Sequence, residues 1–248
     1  MKEKIRSVVF IALAFCILPL ECPSQRTAAN VIKQRERNSV SVGLKFMKKQ
    51  RNTLQRALAF VSATDINAYA SGFLVDNGLV ITSYHVVSGK LSAPKRKMLG
   101  FKLDDELEVE AYVDGCRAKV VKVEPSADLA LLKICDTSKV AKRPIFRTAP
   151  DMDEQLFLIA QRVNQKIVRR GSFHGLYNYQ GQQYWSARID GQDGFSGSPV
   201  YNNNGEIVGV FCSYDSVQEV ALISPGTTTQ KFLADYEADL QLVPNHKD

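Results

Sequence analysis

Gly194-Phe195-Ser196-Gly197-Ser198-Pro199, followed by the apolar run from Val200 to Val210, decides how this chain is read. A serine lies between two glycines on a turn that leads into a strand-like run. Glycine at 194 permits a backbone conformation closed to other residues, so the amides of Gly194 and Ser196 can both point at one oxygen. An acyl-transfer nucleophile needs that arrangement. A serine hydroxyl is a weak nucleophile at neutral pH, so the chain must also supply a general base and a group that orients it.

Candidates for both lie upstream. Between Ser71 and Val87, two short apolar runs flank the turn Asp76-Asn77-Gly78, a hairpin signal, and the second run ends in Thr82-Ser83-Tyr84-His85-Val86-Val87. His85 is the candidate base. Asp128 opens Asp128-Leu129-Ala130-Leu131-Leu132-Lys133-Ile134, at the mouth of a buried-looking strand where an acid is unexpected without a partner. Asp128 is the candidate orienting carboxylate.

These three segments, in the order His, Asp, Ser, resemble the trypsin-like serine protease family, in particular its HtrA-type and glutamyl-endopeptidase branches. The histidine segment is similar to the family's Thr-x-x-His-Val-Val, and the aspartate segment to its Asp-Leu-Ala-Leu-Leu-Lys-Ile. The serine segment is similar to Gly-Asn-Ser-Gly-Ser-Pro-Val-Phe-Asn followed by a Gly-Glu-Ile-Val-Gly-Val strand. The likeness runs over roughly residues 55 to 240. It implies a serine endopeptidase acting on proteins or peptides through an acyl-enzyme, with His85, Asp128 and Ser196 catalytic and the Gly194 and Ser196 amides binding the oxyanion.

The strand pattern agrees with that fold. Runs at 56–62, 71–75, 79–82, 108–113, 117–123 and 129–134 make one six-stranded set, and 156–160, 166–170, 183–189, 198–201, 206–212 and 219–223 a second. Joined near 143–151, they predict an all-β double barrel, with barrels over 55–142 and 151–225 and a closing helix over 227–240. Phe232, Leu233, Tyr236 and Leu240 fall on one face of that helix. His85 and Asp128 then belong to the first barrel and Ser196 to the second, so the site lies in the cleft between them.

The N-terminal 24 residues carry Lys2, Lys4 and Arg6, an apolar run from Val8 to Leu20, and a polar exit at Cys22 and Pro23. This is an export-signal layout, with an apolar run short for a membrane span of about 20 residues. A cleaved signal, or an uncleaved anchor tethering the protein through residues 5–20, is expected. The implied location is periplasmic or secreted. Residues 25–54 are basic, and the spacing of Leu44, Met47 and Leu54 suggests a short amphipathic helix, with an unstructured spacer as the alternative.

The 248-residue chain carries a net charge of +6, and its body keeps +5 without the first 24 residues. A solvated surface accounts for that charge, and no nucleic-acid partner is expected. Neither Cys/His metal spacing nor a phosphate-binding glycine loop is present, so no cofactor is expected. The acidic Asp104, Asp105, Glu106, Glu108 and Glu110 follow the basic Lys95, Arg96 and Lys97, opposite blocks that solvate a hairpin. Cys116, Cys135 and Cys212 are expected to be three separate buried thiols, a Cys116–Cys135 cross-strand bridge being the alternative.

Departures from the family pattern concern the site itself. Phe195 stands where the HtrA branch has Asn and trypsin an acid, so a bulky apolar group could shield or block the oxyanion loop. That residue keeps open a non-catalytic, peptide-binding protein on the same fold. Asp190 lies six residues before Ser196, the offset of trypsin's pocket-floor carboxylate, which implies cleavage after Lys or Arg unless Gly191 to Asp193 turn it to solvent. His174 resembles the acid-reading histidine of glutamyl endopeptidases in type but not in its segment. Phe211, Cys212 and Ser213 occupy the strand that in this family pairs with substrate backbone.

Overall fold

The computed structural model describes residues 23–49, 66–135 and 143–242. The expected export signal lies, but for its last two residues, outside the described residues, as does the run 56–62. The described elements begin with helix α1 (Pro23–Arg35), which leads through a 3-10 turn (Glu36–Asn38) into the first barrel. Ala28 and Val31 on this helix are buried. Among the described residues, no helix is long and apolar enough to cross a membrane.

Six strands close the first barrel in the order β1-β2-β3-β6-β5-β4. They are β1 (Ser39–Lys48), β2 (Ala68–Asp76), β3 (Leu79–Ser83), β4 (Leu107–Val113), β5 (Cys116–Glu124) and β6 (Leu129–Lys133). The opening strand corrects the helix or spacer expected around Leu44 and Met47. Val40, Val42, Leu44 and Phe46 are all buried, the period-two pattern of a strand. The near-helical recurrence of Leu44 and Met47 masked it. The one-turn helix α2 (Tyr84–Val87) and the short α3 (Ala93–Met98) sit between β3 and β4.

A second closed barrel follows in the order β10-β11-β12-β9-β8-β7. Its strands are β7 (Gln155–Arg162), β8 (Gln165–Tyr179), β9 (Gln182–Ala187), β10 (Pro199–Asn202), β11 (Ile207–Asp215) and β12 (Val220–Pro225). Helix α4 (Gly226–Leu242) closes the chain. Phe232, Leu233 and Tyr236 pack inward from it as expected, whereas Leu240 is exposed.

Each barrel has its own core, and a third core joins them. Val42, Leu74, Val80 and Leu132 fill the first barrel, and Leu158, Trp185, Val200 and Val208 the second. Phe73, Ile81 and Leu131 of the first barrel meet Ile159, Tyr201 and Val210 of the second and Phe232 of α4. Adjacent residues Val80 and Ile81 face different cores, which explains why the run around them is continuously apolar rather than alternating. This shared core fixes the cleft between the barrels.

Cys116 and Cys135 form a disulfide, with Cα atoms 6.2 Å apart. This corrects the expectation of separate thiols. The antiparallel β5–β6 pairing, with Lys119 opposite Lys133, brings the two ends within bridging reach.

Candidate active site

His85, Asp128 and Ser196 meet at the cleft. Ring Nδ1 of His85 lies 2.8 Å from Asp128 Oδ2, and Nε2 lies 2.9 Å from Ser196 Oγ. Asp128 also accepts the His85 backbone amide on Oδ1 at 2.8 Å. Both carboxylate oxygens are therefore committed to one residue, which fixes ring position and orientation together. The His85 side chain is 47% exposed and that of Asp128 only 14%, so the carboxylate is secluded while the ring reaches the open cleft.

Local backbone structure sets these positions. β3 ends at Ser83, and the one-turn helix α2 lifts His85 out of the sheet. Asp128 takes a left-handed conformation, φ 53° and ψ 42°, after the 3-10 turn Pro125–Ala127, and its carbonyl accepts the Tyr84 amide at 3.0 Å. Aspartate tolerates that region better than most residues. The β3–β6 ladder, with Ser83 opposite Leu129, then brings the base beside the carboxylate.

The serine loop is wedged between the barrels. Gly194 has φ +92° and Gly197 φ +86°. A Cβ on Gly197 would lie 2.2 Å from Ser71 O and 2.3 Å from Thr82 Oγ1, so any side chain there would collide with the first barrel. The Phe195 amide donates to Gln192 O, whereas the Gly194 and Ser196 amides donate to no protein acceptor among the described residues. These two donors flank the Ser196 hydroxyl.

Phe195 does not cover the loop. Its ring is fully buried in the second barrel's core, edge-on to Phe211 at 6.3 Å, with the Arg169 guanidinium 5.8 Å from its centroid. Phe195 therefore anchors the loop from below.

Of three small hydroxyl residues that sequence reasoning passed over, Ser71 ties this loop to the first barrel, Thr82 braces Ser71, and Ser83 reaches β11. Ser71 Oγ donates to Gly194 O at 2.8 Å and accepts the Gln161 amide at 3.2 Å. The Ser71 amide donates to Ser196 O, and Thr82 Oγ1 donates to Ser71 O. Ser83 Oγ donates to Phe211 O at 3.1 Å. All three are buried. Their signal in the sequence was a polar residue inside a run otherwise destined for burial, which demands a partner.

The residues expected to bind substrate divide. The cleft, about 760 Å³, is lined by Phe211, Cys212, Ser213, Tyr214, Tyr184 and Gly191 around the triad, but not by Asp190. Asp190 is exposed, which removes the basis for a carboxylate at a pocket floor. In its place Tyr214 packs on Gly191, its Cβ 2.5 Å from where a Gly191 Cβ would sit. Phe211 has spent its backbone on Ser198, Gly197 and Ser83. Beyond it, β11 has left its partner β10, so the edge from Cys212 to Tyr214 faces the cleft. His174, on β8, is exposed and does not line the cleft.

Cys212 lies beneath the triad, its carbonyl 3.4 Å from Ser196 Oγ. Burial first, and then the neighbouring Asp128 carboxylate, push its thiol well above the ordinary range. Tyr184, on the cleft wall, is pushed up to about 12, chiefly by burial.

A family model described as the trypsin-like peptidase domain matches residues 70–210, more than half of the chain. The chain belongs to the trypsin-like peptidase family. It is, at that level, a serine endopeptidase. No curated protein matches its sequence. Among solved structures, the chain is similar to the active form of the Rv3671c protease from M. tuberculosis, with 17% identity and a TM-score of 0.59, covering 86% of each chain. It is also similar to the serine endoprotease from Yersinia pestis, with 19% identity and a TM-score of 0.59, covering 86% of this chain and 67% of that one. At these identities the structural likeness establishes the fold: two β-barrels and a closing helix.

Proposed function

We propose that this member of the family is an exported endopeptidase in which Ser196 is the nucleophile, His85 the general base and Asp128 the group that orients it. The single observation that carries the reading is the unbroken run of short contacts from Asp128 through His85 to Ser196, at 2.8 and 2.9 Å. His85 Nε2 takes the Ser196 proton as Oγ attacks the peptide carbonyl, and returns it to the leaving amine as the bond breaks. Asp128 accepts from Nδ1, holding the tautomer that leaves Nε2 free and stabilising the cation that forms. Charge that develops on the carbonyl oxygen is met by the Gly194 and Ser196 amides, each such donor being worth about a hundred- to a thousandfold in rate. Water then hydrolyses the acyl-enzyme by the same path in reverse.

Substrate enters along the open edge from Cys212 to Tyr214, where its backbone adds as a further strand. The catalytic unit runs from the first strand at Ser39 to the closing helix. Export rests on the sequence pattern of residues 1–24, acting as a cleaved signal or an anchor. The competing reading, a peptide-binding protein without catalysis, drew on Phe195, whose burial away from the loop removes the obstruction.

A fluorophosphonate probe tests the assignment. The folded protein is expected to be labelled on Ser196 and to cleave peptides, with both activities lost in Ser196→Ala. A folded sample that neither labels nor cleaves would sink the catalytic reading in favour of peptide binding. Mass measurement of the mature N-terminus distinguishes cleavage near residue 24 from a retained anchor.

A further inference from the structure

The cleft is uncharged on one side of Ser196 and cationic on the other. Along the free edge of β11 and the tip of the β8–β9 hairpin, Tyr179, Gln180, Gln182, Tyr184, Ser213 and Tyr214 line it. On the rim beyond His85 the lining charges are Lys90, Lys95 and Asp193. Asp193 is taken up by Lys95, Nζ to Oδ1 2.9 Å, and Lys90 has no carboxylate partner among the described residues. Arg162, at the end of β7, does not line the cleft but runs beside Gly194. Its Cδ and Cγ lie 3.7 and 3.9 Å from where a Cβ on Gly194 would sit, and its guanidinium also lacks a carboxylate partner among the described residues.

The loop that carries the two lysines is held in place. Arg96 donates to the carbonyls of Leu91, Lys102, Leu103 and Asp105 at 2.7 to 3.4 Å, tying both ends of α3 together. Its nearby acids are engaged away from the cleft, Asp105 with Lys48 at 3.0 Å and Glu106 with Lys49 at 3.8 Å. Neither lines the cleft. The sequence places basic and acidic blocks side by side, and of the basic one the fold brings Lys95 to the cleft.

We infer that the enzyme selects substrates with acidic residues immediately after the scissile bond. The inference rests on the catalytic roles proposed above. Because His85 must deliver a proton to the leaving amine, the leaving half of the substrate starts beside His85 and crosses the rim of Lys90 and Lys95, with Arg162 next to it behind Gly194. An acidic residue there gains two cations that lack carboxylate partners and can share Lys95 with Asp193. Two exposed ion pairs correspond to about a two- to thirtyfold advantage in kcat/KM.

Internally quenched peptides with one common acyl half and Asp-Asp, Ala-Ala or Lys-Lys at the start of the leaving half provide the test. The expected ranking is Asp-Asp over Ala-Ala over Lys-Lys. It should be widest at about 0.01 M salt, where the screening length is about 30 Å, and should collapse at about 1 M, where it is about 3 Å. Lys90→Glu combined with Arg162→Glu is expected to reverse the ranking within one preparation. If that variant does not fold, the salt series on the unaltered enzyme decides alone. Equal rates for the three peptides, or a preference for Lys-Lys, with Ser196 still labelled by the neutral fluorophosphonate, would overturn this inference and spare the catalytic roles. Absence of labelling would overturn both.

Discussion

Removing the Ser71 hydroxyl should damage turnover more than stability alone explains. Ser71 Oγ is fully buried, donates to Gly194 O at 2.8 Å and accepts the Gln161 amide at 3.2 Å. Ser71→Ala leaves that carbonyl and that amide without a partner, at a cost of about 1–3 kcal/mol. For a domain of this size each kcal/mol lowers the melting temperature by about 2–4 °C. The Gly194 carbonyl is the anchor that fixes how Gly194 turns, and hence where its own amide points. Losing an oxyanion donor outright costs about a hundred- to a thousandfold, so a loosened one should cost about ten- to a hundredfold in kcat with KM little changed. Steady-state kinetics on a peptide substrate well below the melting transition, beside a thermal melt, provides the assay. Ser39→Ala is the control. Ser39 Oγ makes a comparable buried bond, to Ile159 O at 3.1 Å, but far from the serine loop, so it should lose stability and keep kcat. A Ser71→Ala enzyme with a lowered melt and kcat within about twofold of the parent would refute the positioning role.

Other outcomes follow from the same packing. Phe195→Ala should lose about 3–5 kcal/mol, because it empties a fully buried ring site, and a melt unchanged from the parent would contradict the ring's place in the core. Tyr214→Gly should raise the rate on peptides with a bulky apolar residue at the scissile carbonyl relative to alanine, since Tyr214 lines the cleft and packs on Gly191; an unchanged ratio would show that it does not limit the site. The Cys212 thiol should resist iodoacetamide in the folded protein across about pH 7 to 9 and react on unfolding. Its folded pKa lies above the unfolded value, so the fold favours the neutral thiol, and stability should fall as pH rises past the unfolded pKa. Rapid native alkylation would contradict that burial.

Some of this molecule is written locally. The Gly-Phe-Ser-Gly turn, the hairpin before His85 and the short apolar runs of the second barrel's strands each depend on neighbours within a few residues. A single sequence therefore exposed both barrels, the triad candidates and the closing helix. The strand Ser39–Lys48 was obscured because Leu44 and Met47 also satisfy a helical spacing. The alternation of Val40, Val42, Leu44 and Phe46 favours the strand, and its ladders to β2 and β4, whose partners begin more than 20 and about 60 residues away, decide it.

Tertiary structure alone decided the rest. Phe195 sits beside the nucleophile in sequence, yet the left-handed turn at Gly194 sends its ring into a core built by Phe211 and strands on either side. Asp190 has the offset of a pocket carboxylate, but it is exposed and off the cleft, whose wall there is made by Gly191 with Tyr214 packed on it. The Cys116–Cys135 bridge depends on how β5 and β6 pair. Residue type and spacing determine which chemistry a chain can perform. Which way a side chain faces, and what it touches across a cleft, is set by contacts between segments that are not neighbours in the chain, and no local pattern encodes them.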